Sequence, residues 1–195
     1  MLLLSLLAFA PAAWAADTYS FDKDHTHILF FVNHLGFSNM VGRMTAYEGY
    51  FTFNEKEPEK SQIDVRLLPA GIDTDVPALN KELQGAKFFN SAAFPEMRFR
   101  SGKVVVTGTN TGDAVGDFTL LGVTRPLTLH IIYNKSGVHP YSNNFISGFS
   151  ADAVLKRSDF GMKAYLPDVG DEVRVHIEAE GIDPIRHPGN VKTPH

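Results

Sequence analysis

Residues 173–180 read VRVHIEAE, and this stretch decides the fold class. Apolar and polar side chains alternate through it without a break. Because a β-strand places successive side chains on opposite faces, such a run forms a strand with one dry face and one wet face. The residues of the dry face are Val173, Val175, Ile177 and Ala179. The pattern predicts a sheet that covers an apolar interior with one face and meets water with the other.

The same alternation recurs through most of the chain. The clearest repeats are 47–54, 62–67 and 97–100. Segments rich in Gly, Asn and Ser separate the runs, and three of them read as hairpin turns: SGK at 101–103, GTNTGD at 108–113 and NKSG at 134–137. About eight to ten strand-like segments at this spacing indicate an all-β, antiparallel sandwich or closed barrel.

One segment, DVPALNKELQGAKFFN at 75–90, departs from the alternation. Its apolar residues at helical spacing are Val76, Leu79, Leu83 and Ala86. Asp75 is placed to cap such a helix, and Pro77 suits its first turn. The segment therefore predicts one short helical insertion that covers an end or edge of the sheet, with Phe88 and Phe89 as anchors.

Three histidines lie close together in HTHILFFVNHLGF at 25–37. On one unbroken strand, His25 and His27 share a face, whereas His34 lies on the opposite face. The residues that accompany His34 are Ile28, Phe30 and Val32. A single metal ion cannot be held by all three histidines in this arrangement. We expect no metal, although a metal-dependent or redox accessory role for the three remains an alternative.

The ends of the chain differ from its middle. Residues 1–15, MLLLSLLAFAPAAWA, form an apolar run that ends in a small-x-small pattern, so we predict a signal peptide cleaved after Ala15. The run is shorter than the roughly 20 apolar residues of a membrane-spanning helix, and no stable membrane span is expected. Residues 16–185 are predicted to form one domain, and residues 186–195 a disordered tail.

Charge and cysteine content restrict the partners and the compartment. The net charge of −4 gives no electrostatic reason to expect nucleic acid as a partner. The chain has 0 cysteines, so its stability must come from the core and not from disulfides. An exported chain of this kind suits the bacterial periplasm, which is the predicted location.

Four separated motifs closely resemble the YceI-like family of exported bacterial proteins. They are the stretch at 25–37, FNSAAFPEMRF at 89–99, GDFTLLGVTRPLTL at 116–129 and KRSDFGM at 156–162. The resemblance covers about residues 19–182. It implies a lipocalin-like antiparallel β-barrel of about eight strands that binds a polyisoprenoid lipid.

This resemblance implies a ligand such as a polyprenyl phosphate or an isoprenoid quinone inside the barrel. The predicted lining residues are Ile28, Phe30, Val32, His34, Phe51, Phe53, Phe99, Phe118, Leu120 and Phe149. Arg157 and Asp159 are possible head-group contacts, since Arg binds phosphate in a bidentate manner. The alternative for this pair is a structural turn. Glu82 stands where the family has a His, so the head-group chemistry at that position is not carried over.

Other roles stay open from the sequence. The same aromatic residues can fill a solid core, as in an interaction protein with a closed interior. The chain contains no GxSxG motif and no Gly-rich phosphate loop, and we predict no enzymatic activity. A homodimer is compatible with the sequence.

Overall fold

The computed structural model describes residues 16–186. The predicted signal peptide at 1–15 and residues 187–195 of the predicted tail lie outside this range. The strands are β1 Asp17–Phe21, β2 His27–His34, β3 Ser38–Met44, β4 Tyr47–Phe53, β5 Gln62–Leu67, β6 Ile72–Asp73, β7 Met97–Val106, β8 Thr111–Leu120, β9 Val123–Val138, β10 Phe145–Lys156 and β11 Val169–Asp183. The α-helix is α1 Pro77–Gln84, and 3-10 helices lie at Pro58–Lys60, Pro69–Gly71 and Arg157–Phe160.

The strands close into an antiparallel barrel. The order around it is β1, β4, β5, β7, β8, β9, β10 and β11, and β11 pairs again with β1. Strand β2 continues along β11 after β1, while β3 precedes β4 and pairs with β2 and β6. The barrel thus has eight strands, three of which are interrupted. The predicted fold class, a lipocalin-like barrel with one short helical insertion, is confirmed.

The interruptions in these three strands lie side by side. The Tyr47 hydroxyl donates to the carbonyl of Thr26 at 3.1 Å, which joins the second break to the first. The Leu68 amide donates to the Ala46 carbonyl at 2.9 Å, which joins the third break to the second. Because backbone groups that leave the ladder find partners in the neighbouring break, the barrel wall stays closed at this level.

The helix begins and ends differently from the prediction. It covers Pro77–Gln84 and not the whole of 75–90, and Pro77 lies in its first turn as expected. Asp75 does not cap it: Val76 is the N-cap residue, and no side chain bonds the free amides there. The Asp75 carboxylate instead accepts a hydrogen bond from Arg43 on β3 at 3.0 Å. An ion pair with a distant strand thus replaces the predicted local cap.

Both ends of the described domain meet at one end of the barrel. Asp17, at the start of β1, forms an ion pair with Arg186, which follows β11. Buried Asp183 accepts the amides of Ile185 and Arg186 at 2.8 and 3.1 Å. The first residue of the predicted tail is therefore fixed to the barrel.

Candidate ligand-binding cavity

A cavity of about 320 Å³ occupies one half of the barrel. It lies toward the end where β2 leads into β3 and β11 begins. The apolar side chains of β11 that line it are Val173, Val175 and Ile177, which belong to the alternating stretch that decides the fold class. These three are only partly buried although they point inward, because they face the cavity. We call this region the cavity half.

Strand β2 supplies one wall of the cavity through its inward residues. Ile28, Phe30, Val32 and His34 all line it, in keeping with the period of two along the strand. Phe30 lies flat against the opposite residue of β3, Gly42, where a Cβ atom would be 2.2 Å from the ring. Glycine at 42 therefore lets the Phe30 ring lie against the wall and leaves the interior open.

The structure places seven of the predicted lining residues at this cavity. They are Ile28, Phe30, Val32 and His34 from β2, Phe99 from β7, and Phe118 and Leu120 from β8. Their contact with a ligand stays a prediction, whereas their position around one apolar space is a structural fact. Side chains that the sequence did not single out complete the wall, among them Met40, Met97, Leu127 and Leu129. The alternation in the sequence places the apolar side chains of β7 and β9 on an inward strand face. It does not distinguish a side chain that lines a cavity from one in a packed core.

Three predicted lining residues lie elsewhere. Phe51, Phe53 and Phe149 pack at the opposite end of the barrel, with Tyr19 and Tyr133, in a cluster that we call the aromatic end. Phe51 stacks on Tyr19 with ring centroids 5.0 Å apart, and Phe149 meets Phe51 edge-on at 5.4 Å. These rings face inward as predicted, but they contact one another and fill the barrel. The three residues lie on the inward faces of their strands, as predicted, but at the opposite end of the barrel from the cavity.

A cover of helix and loops closes much of the other end, around the mouth of the cavity. Leu79, Glu82 and Leu83 of α1 line the cavity from above, together with Phe88 and Phe89. The predicted anchors therefore join the cavity wall. The mouth also includes Tyr165, whose hydroxyl donates to the Glu82 carboxylate at 3.0 Å. At the tip of the β2–β3 hairpin, Phe37 is 88% exposed.

Arg157 lies at the cavity, and the surrounding backbone already engages its guanidinium. It is 3% exposed, and its guanidinium donates to three backbone carbonyls. These are Gly170 at 2.8 Å, Val169 at 2.8 Å and Met162 at 3.2 Å. Burial lowers the pKa of Arg157, although an arginine stays charged at neutral pH. The side chain fixes the segment 162–170 to the end of β10.

Asp159, the second predicted head-group contact, is exposed and does not line the cavity. The carboxylate that organises this turn is Asp171, which the sequence did not single out. It accepts the amide of Ser158 at 2.9 Å and the Ser158 hydroxyl at 2.7 Å. The Arg-Ser-Asp-Phe-Gly motif therefore forms the structural turn that the sequence left as an alternative, with Asp171 in place of Asp159.

The three histidines of 25–37 are not brought together. His34 lines the cavity, whereas His27 is exposed on the outer face of β2 and His25 lies in the turn before it. Asp22 accepts a hydrogen bond from His25 Nδ1 at 3.0 Å, and this bond raises the pKa of His25. Ligand atoms of Asp22, His25 and Glu180 lie within 4.8 Å of one another. Because the Asp22 oxygens already bond His25 and the Asp24 amide, this group stabilises the turn between β1 and β2.

The fold and the cavity define a class of protein: an eight-stranded antiparallel barrel, lipocalin-like, with an apolar interior that opens at one end. Within residues 16–186, no helix has the length and hydropathy needed to cross a bilayer. The sequence signature of the YceI-like domain matches residues 19–181. The chain belongs to the YceI-like family.

Bacterial relatives extend over nearly the whole chain. Protein YceI of Escherichia coli is 36% identical over 180 residues, which cover 91% of this chain and 93% of the relative. The UPF0312 protein of Pseudomonas aeruginosa is also 36% identical over 180 residues, with the same coverage. The resemblance predicted from four motifs is thus confirmed.

Solved structures share the barrel. The Campylobacter jejuni YceI protein is 25% identical, with a TM-score of 0.68 over 77% of this chain and 88% of its own. BcnA of Burkholderia cenocepacia reaches a TM-score of 0.75 at 16% identity, over 82% and 98%. A polyisoprenoid binding domain from Saccharophagus degradans reaches 0.65 at 13% identity, over 85% and 98%. At such low identity, the last two likenesses show the fold alone.

Proposed function

We propose that this protein binds a long-chain isoprenoid lipid in the cavity half of the barrel, as a periplasmic carrier or store without catalytic activity. The observation that carries the proposal is the apolar cavity of about 320 Å³ in a YceI-like barrel. A polyisoprenoid binding domain with the same fold supports this class of ligand. The signal sequence predicted at residues 1–15 supports export.

The walls suit a flexible hydrocarbon tail. Apolar side chains from β2, β7, β8, β9 and β11 surround the space, so a prenyl chain can enter without leaving polar groups unpaired. A cavity of about 150 Å³ holds one benzene molecule, so 320 Å³ accommodates roughly twelve carbons, or about two to three isoprene units. Any further units of a longer tail must extend through the mouth.

Burial of the tail supplies the affinity. At about 0.8 kcal/mol per buried CH₂, ten carbons contribute on the order of 8 kcal/mol, from which association and ordering of the chain subtract several kcal/mol. No covalent step and no metal ion is needed for this binding. Both head-group classes considered from the sequence, a phosphate and a quinone, share such a tail.

Lipid extraction followed by mass spectrometry tests the proposal on protein purified from its native compartment. We expect a prenyl lipid in the organic phase. Titration of delipidated protein with prenyl alcohols of one to five isoprene units should show an affinity that rises to about three units and then levels off. Clean protein that also fails to bind every member of the series would contradict the proposal.

A matched pair of variants locates the binding site. Ala153 lines the cavity from β10, whereas the next residue, Val154, points outward and is 54% exposed. Ala153→Leu adds side-chain volume to the cavity and should reduce prenyl-alcohol affinity at least tenfold. Val154→Leu is the control and should bind like the unchanged protein. Equal binding by the two variants would place the ligand elsewhere.

A further inference from the structure

Few charged groups face the cavity. Among the described residues that line it, those with a formal charge at neutral pH are Glu82 and Arg157. Their situations differ. Arg157 is buried and donates to three backbone carbonyls, whereas Glu82 is exposed at the mouth, on α1. A ligand head at the mouth therefore meets a carboxylate, while the guanidinium is already engaged by the protein.

The Glu82 carboxylate keeps capacity to accept hydrogen bonds. It receives one from the Tyr165 hydroxyl at 3.0 Å, and an ionised carboxylate offers about four acceptor sites. A cation also lies beside Tyr165: Lys87 Nζ is 5.5 Å from the ring centroid, and Lys87 does not line the cavity. His34 also lines the cavity and is partly exposed. The arrangement favours a head that donates hydrogen bonds.

We propose that Glu82 makes this cavity select a prenyl ligand with a neutral or cationic hydrogen-bond donor as its head, such as an alcohol or an amine, over a prenyl phosphate. A phosphate monoester carries between one and two negative charges at neutral pH. The carboxylate of Glu82 repels it across a few ångströms, and the guanidinium at this cavity, that of Arg157, is buried and bonded to three carbonyls. A quinone head offers acceptors only and forms no hydrogen bond with an ionised Glu82. This selection rests on the proposed function, because it presupposes that the tail occupies the cavity and that the head lies at the mouth, as it does for a tail of about three isoprene units.

Three ligands with one tail separate the head group from the hydrocarbon. Delipidated protein is titrated with farnesol, farnesylamine and farnesyl phosphate at pH 7.5 and low salt. We expect farnesol to bind about tenfold more tightly than farnesyl phosphate, and farnesylamine at least as tightly as farnesol. Raising the ionic strength should reduce the difference between amine and phosphate, because salt screens charges at an exposed mouth.

Two variants assign the selection to one side chain. Glu82→Gln keeps the size of the side chain and removes its charge, so farnesol and farnesyl phosphate should bind within about threefold of each other. Glu59→Gln is the control: it removes the same charge from an exposed 3-10 helix outside the cavity wall and should leave the tenfold preference intact. Circular dichroism checks that both variants are folded.

The outcomes distinguish this inference from the proposed function. If farnesyl phosphate binds as tightly as farnesol to the unchanged protein, head-group selection is wrong while lipid binding stands. If Glu82→Gln keeps the full preference for farnesol, Glu82 is not its source and the inference fails. If none of the three ligands binds, the proposed function fails, and head-group selection fails with it.

Discussion

The two halves of the barrel are built from the same strands yet differ in what fills them. At the aromatic end, rings from different strands meet across the interior, as Phe53 and Tyr133 do at 5.2 Å between centroids. In the cavity half, Phe30 lies flat on Gly42, and its inward neighbours are mostly aliphatic. Most inward residues are apolar in both halves. The difference shows that the volume summed across the barrel, and not hydrophobicity, decides whether a strand face closes a core or lines a void.

Glycine lets a phenylalanine ring approach the backbone in both halves of the barrel. At the aromatic end, Gly181 lets the Phe51 ring approach the backbone, since a Cβ there would lie 2.3 Å from the ring. The ring at Gly181 points into a packed cluster, while the ring at Gly42 borders open space.

The largest expected effect concerns the segment that borders the cavity half. Arg157→Met removes the donor for three carbonyls, those of Met162, Val169 and Gly170. Because unsatisfied buried carbonyls cost roughly 1–3 kcal/mol each, we expect a loss of about 5 kcal/mol in the free energy of unfolding. Urea denaturation measures it. Arg125→Met is the control, since exposed Arg125 bonds only a neighbouring carbonyl; a small loss for both variants would contradict this role.

The next effect concerns the packed half. Phe51→Ala should lower the free energy of unfolding by about 3–4 kcal/mol, because it leaves a hole among tightly packed rings. Prenyl-alcohol affinity of the folded variant should stay within about twofold, since Phe51 does not line the cavity. Thermal unfolding and ligand titration provide the two readouts. A large loss of affinity in folded protein would mean that the two halves are coupled.

A double variant that combines Phe51→Ala with Gly181→Ala tests whether the close approach of these two residues contributes to stability. Gly181→Ala alone should be destabilising, because the new Cβ overlaps the Phe51 ring. Removing the ring relieves that overlap, so the losses in the double variant should sum to less than those of the single variants. If the losses in the free energy of unfolding are strictly additive, the close approach of Gly181 and Phe51 does not affect stability.

A smaller effect compares one substitution at two levels of the same strand. Ala151 and Ala153 of β10 are both buried, but only Ala153 lines the cavity. Ala151→Leu should destabilise by about 1–3 kcal/mol through overpacking, whereas Ala153→Leu should be accommodated by the void with little or no loss. The urea concentrations at the unfolding midpoints of the two variants, each compared with the unchanged protein, measure these losses. Equal losses would indicate that the interior is filled at both levels.

The smallest expected effect is on the pH dependence of stability, and it comes from His176 on the outer surface of the barrel. The hydrogen bond with Asp152 at 2.8 Å raises the pKa of His176, and a second bond to Glu178 at 3.0 Å adds to the shift. A raised folded pKa stabilises the protein fully below the unfolded pKa of about 6.5, and the stabilisation is lost as pH rises through the folded value. Since His176 is over a third exposed, we expect a fall of a few tenths of a kcal/mol between pH 6 and 8.5.

An NMR titration of the His176 ring checks this shift directly, and Asp152→Asn should lower its pKa toward the ordinary value. His176→Gln should reduce the fall in stability between pH 6 and 8.5 without abolishing it, because the pKa of His25 is also raised. An unchanged titration in Asp152→Asn would exclude Asp152 as the main cause.

The sequence predicted the barrel because alternation is a local property of each strand. It also predicted that Phe30 and Phe51 face inward. It did not predict that one borders a cavity and the other a packed cluster, because the level of a residue along the barrel depends on strand register and on the breaks near residues 22–26, 45–46 and 68–71. These are set by pairings between distant segments, which no local pattern records.

The same limit explains the errors at charged residues. Asp75 has the chemistry of a helix cap, but Arg43, thirty-two positions away in the chain, engages it. Arg157 has the chemistry of a phosphate ligand, but the backbone of 162–170 converges on it. In both cases the residue type was informative about the kind of partner it needs. The partner itself is fixed only when the chain is folded.

The ion pair between Asp17 and Arg186 fixes both described chain ends beside the aromatic end, at the pole opposite the mouth. A surface tether or an affinity handle attached at either residue would thus lie on the far side from the opening. Held at either of these two residues, the barrel would present its entrance outward, where it can exchange a ligand with a facing surface.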